Sequence, residues 1–183
     1  MIPTHESVLL ATICLPLLGV GLVWAVAPSG RAVVRLAALG IVLLTVIGAV
    51  WLAYEFPPDS GDFDEGDFAA SDFVWLELSD LDVHFSVGLD GISLWLFVLS
   101  AVLSLTALLA SWRAIEDRPA EFYAMLLLLE SGMLGVFAAR DLVLFYVFFE
   151  FVLIPLFFLI GVWGSEDRRY AAMKFFLFTL TGS

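Results

Sequence analysis

An all-α polytopic membrane protein of about six transmembrane helices is the fold class this sequence predicts, and three observations predict it. Hydrophobic residues make up 62% of the 183, whereas a soluble domain is nearer half apolar. The surplus is gathered into runs of roughly 18–23 residues, long enough to cross a hydrocarbon core about 30 Å thick. Between those runs the basic residues fall almost entirely on alternate connections, as the loops of a membrane protein do.

Taken in order, the apolar segments are 8–27, 32–54, 92–112, 122–139, 142–163 and an unfinished one from about Tyr170. The first has Ala25-Val26-Ala27 at its end, which resembles a signal-peptide cleavage site. The leading MIPTHES carries no Lys or Arg, however, and the run is about 20 residues rather than the usual 7–15, so it reads as a retained helix. Pro28-Ser29-Gly30 turns the chain into the second span. The predicted division is 1–54 for the first two helices, 55–90 for an acidic extracytoplasmic loop, 91–119 for the third helix and a cytoplasmic loop, and 120–183 for the fourth, fifth and incomplete sixth helices.

The formal net charge is −12, and the charges are segregated. Eleven acidic residues and no Lys or Arg lie between Glu55 and Asp90. That acidity argues against nucleic-acid binding. It reads as a solvated loop or as a surface for cations or a partner. Its first half, PPDSGDFDEGDFAAS, reads as flexible. Its second, FVWLELSDLDVHFSV, alternates apolar and polar residues about Ser79-Asp80 and predicts a short β-hairpin. Of the eight basic residues, Arg31, Arg35, Arg113, Arg118, Arg168, Arg169 and Lys174 share one side and only Arg140 takes the other. That asymmetry puts the seven in the cytoplasm and the N-terminus and acidic loop outside, in a cell (inner) membrane.

Single residues add less. Cys14 has no disulfide partner and reads as a small helix-packing residue. His84 has no second ligand at metal spacing, so no metal is assigned. Asp90, before the third span, reads as an N-cap that accepts from the free N–H groups of the first turn. Asp141, beside Arg140, reads as a turn residue and local ion pair.

The positions that demand explanation are Glu130 and Glu150. They lie ten residues before Arg140 and nine after Asp141, so two helices joined at that turn carry both carboxyls roughly 13–15 Å below one surface, near the midplane. An ionisable group at that depth costs a few kcal/mol or more and commonly marks a proton pathway. Burial disfavours the charged form of a carboxyl and a nearby cation favours it, so a movable cation would load and unload a proton. Hydrogen bonding at a bundle interior is the structural alternative. Pro155 cannot donate to the carbonyl of Phe151, next to Glu150, which suits either a cavity or a kink used in packing. Lys174 either snorkels to the cytoplasmic surface or supplies positive charge on the inner side of Glu150. No Cys or His ligand set, phosphate-binding glycine loop or nucleophile–base pair is present, so the chemistry expected is charge movement.

At these residues the sequence becomes familiar. DLVLFYVFFEFVLIPLFFLIGVWG and RRYAAMKFFLFTLTGS resemble the M-type membrane subunit of respiratory complex I, and VGLDGISLWLFVLS and EFYAMLLLLESGMLGVF resemble the same family. The resemblance runs from about His84 to Ser183 and is weak before it. It implies an antiporter-like helical bundle, with 120–183 the start of a proton-channel unit. Glu150 matches the glutamate that pairs with a lysine on a later broken helix, Glu130 a second glutamate tied to activity, and Lys174 a lysine at the cytoplasmic end of the sixth helix. It further implies proton translocation coupled to NADH:quinone electron transfer in other subunits. NADH, FMN, iron–sulfur clusters and quinone would be held by those partners, with no cofactor in this chain. L-, N- and K-type membrane-arm subunits would be the neighbours. The family's chains are much longer, so the lysine-bearing helices are expected in the remainder of the subunit, in the same or a separate chain. A Mrp-type cation/proton antiporter or membrane-hydrogenase subunit, and a non-transporting structural piece of the arm, are the alternatives.

Overall fold

The computed structural model describes residues 5–56, 68–78 and 81–183. Helices α1 (His5–Val26) and α2 (Arg31–Glu55) lead into a hairpin of β1 (Phe68–Leu78) and β2 (Leu81–Leu89). Then follow α3 (Ser93–Ser111), α4 (Pro119–Ala138), α5 (Leu142–Trp163) and α6 (Arg168–Gly182). Five of the six described helices, α1 to α5, are long and apolar enough to cross a membrane. The chain is a multi-pass membrane protein, and the all-α class holds, with the predicted hairpin present as a two-stranded sheet among the described residues.

The helix ends follow from local chemistry. Between α1 and α2, Gly30 sits at φ 110°, a conformation that favours a residue without Cβ. Pro119 opens α4, where its missing N–H costs nothing. The carboxyl of Asp141 accepts from Val143 N at 2.8 Å and Leu144 N at 3.1 Å, so its place in the turn is that of the N-cap of α5. Ahead of α3, Asp90 Oδ1 accepts from Ile92 N at 2.8 Å and Ser93 N at 2.6 Å, while Asp90 N donates to Ser93 Oγ at 2.9 Å. That reciprocal pair is a capping box. The hydrogen bond from the Ser93 backbone is the main reason the Asp90 carboxyl sits below its ordinary value.

Helices α1, α2, α3 and α4 pack in a ring, each against the next and α4 back against α1, and α2 also touches α4. Outside the ring α5 lies on α4, and α6 lies on α5. Two clusters fill the ring. The one nearer the hairpin includes Leu9, Leu52, Leu94, Phe97 and Leu134, and the one at the opposite end includes Val23, Val42, Leu108, Tyr123 and Leu127. In a bilayer, helices associate through close van der Waals packing at small residues. The α4–α5 seam is of that kind: a Cβ at Gly132 would come within 2.7 Å of Val152, and one at Gly135 would strike the ring of Phe148. Cys14 does not pack as predicted. It is exposed, because Leu9, Ile13 and Pro16 set the inward stripe of α1 and Cys14 is turned about 100° from Ile13.

The hairpin closes on Leu78 opposite Leu81, and the predicted turn residues Ser79-Asp80 lie outside the described ones. Phe68 to Ser71, expected in the flexible half of the loop, belong instead to β1, and residues 57–67 lie outside the described ones. The base of the hairpin is no surface feature. Val87 and Leu89 are buried in the core cluster with Leu94 and Leu134. Arg140 N donates to Ser86 O at 2.9 Å, and Val87 bridges Ala139, so β2 is fastened to the α4–α5 turn.

Candidate functional site

Glu130 is 1% exposed. Leu127, one turn away, belongs to one core cluster and Leu134, one turn the other way, belongs to the other, so the carboxyl lies at the seam between them. Neither Oε1 nor Oε2 has a hydrogen-bond partner among the described residues. A buried polar group without a partner costs about 1–3 kcal/mol, and more when charged. Packing alone gives no reason to keep a carboxyl here.

Its neighbour Ser131 bridges two helices, donating to the carbonyl of Ile13 at 2.7 Å. The contact falls where α1 is weakened: Pro16 lies inside α1 and has no N–H for the carbonyl of Thr12. Buried hydroxyls also line α1, α2 and α3, where Thr12 donates to Val8 O at 2.7 Å, Thr45 to Ile41 O at 3.0 Å and Ser100 to Phe97 O at 2.8 Å. Each hydroxyl proton is used on its own helix, so what remains is lone pairs. Such groups can accept from a protonated carboxyl but cannot donate to a carboxylate.

Glu150 is at the same depth. It lies eight residues into α5 from Leu142, as Glu130 lies eight from the end of α4 at Ala138, roughly 12 Å along each helix. The two side chains are not brought together. The α5-facing side of α4 is marked by Gly132 and Gly135, and Glu130 is turned about 200° from Gly132, toward the ring interior. Glu150 is half-buried on the α6 side of α5, where Ser183 Oγ donates to Oε1. Pro155 is buried within α5, and the helix runs through it to Trp163.

Lys174 is exposed on α6, with Nζ 5.8 Å from the centroid of Tyr170. In the α5–α6 pair Ala172 meets Gly161 and Phe176 meets Phe157, so Lys174 is level with Leu159. That is nine residues, roughly 13 Å, from Glu150 along the helix. Lys174 therefore stands nearer the end carrying Arg168 and Arg169 than to either carboxyl.

Sequence reasoning passed over Pro16, Ser131 and the buried hydroxyls. A proline inside an apolar run and a serine beside a midspan glutamate were visible signals; which carbonyl the serine would reach was not.

A multi-pass helical membrane protein with a buried, unpartnered carboxyl at midspan is the class that fold and site define. Residues 139–183 match the family model described as NADH:quinone oxidoreductase/Mrp antiporter, TM. Across 176 residues the chain is 35% identical to NADH-ubiquinone oxidoreductase chain 4 of Chondrus crispus, covering 96% of this chain and 35% of that protein. Across 141 residues it is 37% identical to NADH-quinone oxidoreductase subunit M of Rickettsia prowazekii, covering 77% of this chain and 28% of that one. A chain of the membrane-bound sulfane sulfur reductase, an archaeal respiratory membrane complex, shares the fold with a TM-score of 0.67 at 22% identity, over 93% of this chain and 25% of that one. The chain is thus similar, over most of its own length, to M-type, antiporter-like membrane subunits. It spans about a third of the length of the curated relatives it matches.

Proposed function

We propose that this chain is part of a membrane-arm subunit of respiratory complex I and takes part in moving protons across the membrane. Electron transfer from NADH to quinone would be carried out by other subunits, which would hold the FMN and iron–sulfur clusters. The observation that carries the reading is Glu130: a carboxyl 1% exposed at midspan, with no partner among the described residues. Such a group is retained where a proton must dwell inside a membrane.

In this reading Glu130 holds a proton within the α1–α4 ring, and the weakened stretch of α1 at Pro16 is where that ring can open to water. Glu150 acts on the other side of the α4–α5 seam, where its partners would come from α6 and from the rest of the subunit. Lys174 would act at the cytoplasmic end. The basic residues support that orientation, with the N-terminus and hairpin extracytoplasmic in a cell (inner) membrane. Membrane-arm subunits of the L, N and K types would flank the chain. The family description also covers Mrp antiporters, but the named relatives favour complex I.

The test is Glu130→Gln in the complete subunit within the assembled complex, with proton uptake into vesicles measured against NADH oxidation. Removing a proton-carrying group should lower translocation by about tenfold or more. A fully assembled variant that pumps normally overturns the assignment.

A further inference from the structure

At the end of the bundle opposite the hairpin, the loop between α3 and α4 and the loop between α5 and α6 enclose a cavity of about 700 Å³. Four arginines line it: Arg113 and Arg118 from the first loop, Arg168 and Arg169 from the second. Glu116 and Asp117 also line it, so cations outnumber carboxylates by four to two. Arg118 is held by Glu121 at 3.5 Å. Arg113, Arg168 and Arg169 have no ion-pair partner among the described residues.

The cavity is built rather than incidental. Trp163 Nε1 donates to the carbonyl of Asp117 at 3.0 Å, fastening the end of α5 to the first loop. Arg35 Nη2 donates to the carbonyl of Ile115 at 2.8 Å, fastening the same loop to α2. Of the three non-glycine residues with positive φ among those described, Arg118 and Asp167 stand in these two loops. Arg113 also borders a second, mainly apolar groove of about 470 Å³, lined by Leu39 on α2, Leu109 and Ala110 on α3, and Trp112 just beyond it. Arg113 is thus shared by the basic cavity and an apolar groove.

The geometry points to a binding site for an anionic phospholipid, its phosphodiester among Arg113, Arg168 and Arg169 and an acyl chain in the groove beside Leu109 and Ala110. Guanidinium forks match phosphate oxygens bidentately. Basic pockets between membrane helices on the cytoplasmic side take such headgroups. A free phosphate would satisfy the arginines but leave the adjoining groove unexplained. The site is independent of the proton-carrying role of Glu130.

The experiment uses the complete subunit in its purified, delipidated complex, with phosphatidylglycerol carrying a photoreactive diazirine in one acyl chain. Labelling of the segment Leu105–Arg113 is read by peptide mass spectrometry. Label should appear with phosphatidylglycerol and be far weaker with the same probe built on phosphatidylcholine. It should fall by about tenfold or more in R168Q/R169Q, two charges being removed near the surface, and fall less in R168K/R169K, which keep the charges but lose the bidentate forks. Ala110→Trp, which fills the groove, should lower it with the arginines intact. Equal labelling by phosphatidylcholine, or labelling unchanged in R168Q/R169Q, overturns the proposal. Protection of Arg168 and Arg169 from phenylglyoxal by inorganic phosphate but not by phosphatidylglycerol overturns the lipid as the source and assigns the arginines to a free anion.

Discussion

Helices α4 and α5 meet along one seam and make opposite use of their composition. In the apolar window of α4, 50% of residues are buried, and it is the least apolar of the five candidate spans; in α5 only 17% are buried, and it is the most apolar. In water the more apolar helix would be the one inside. In a bilayer lipid tails solvate Leu, Phe and Ile as well as a protein core does, so burial goes to the helix with small residues and polar groups that need protein around them. The glutamates follow the same division: Glu130 is sealed in the ring, and Glu150 is half-buried on a helix whose outer face carries the exposed Phe145, Tyr146 and Val147.

The comparison can be broken most directly by equal truncations on the two helices. Leu134→Ala, in the buried core, should cost about 2–5 kcal/mol. Ile154→Ala, 49% exposed on α5, should cost under about 1 kcal/mol in the same protein. Equal shifts in the unfolding midpoint of the complete detergent-solubilised protein would mean that α5 is buried as deeply as α4.

The seam itself is tested by Gly135→Val. The Cβ meets the Phe148 ring, so overpacking should cost about 1–3 kcal/mol and α5 should become the easier helix to cleave or exchange. A variant as stable and as protected as the parent would show that α5 is not seated on α4 in this way. Smaller still is Asp141→Ala at the turn between the two, where loss of the cap should cost about 1 kcal/mol. Hydrogen exchange should show it as fraying of Val143 and Leu144; no change there would remove the cap from the account.

The smallest effect concerns Asp90. Its carboxyl is held below the ordinary value by the Ser93 and Ile92 N–H groups. The charged form is thus favoured in the folded protein, and its contribution is complete above the ordinary aspartate value near 3.8 and lost as pH falls below it. Asp90→Asn should flatten the stability–pH profile in that acid window by lowering stability slightly at neutral pH, with the acid limit nearly unchanged. A parent and variant with parallel acid limbs would contradict the cap.

The sequence by itself determined the spans, because the length of an apolar run and the cost of unpaired backbone in lipid leave a helix as the solution for each. The same reasoning put Glu130 and Glu150 at one depth, Asp90 at a helix start and Asp141 in a turn, since rise per residue and capping are local. It also predicted a hairpin in the second half of the acidic loop, though it left Phe68 to Ser71 in a flexible stretch. Only the tertiary structure decided which way each side chain points around its helix. All faces of these helices are apolar, so periodicity carries no sign of inside or outside, and that is why Cys14 turned outward and why Glu130 and Glu150 share a depth without sharing a face. The bond from Ser131 to Ile13, the fastening of β2 to the α4–α5 turn and the four arginines gathered into one cavity have the same origin. Each joins segments distant in sequence, and the choice among many equally apolar surfaces is made by how closely the helices fit.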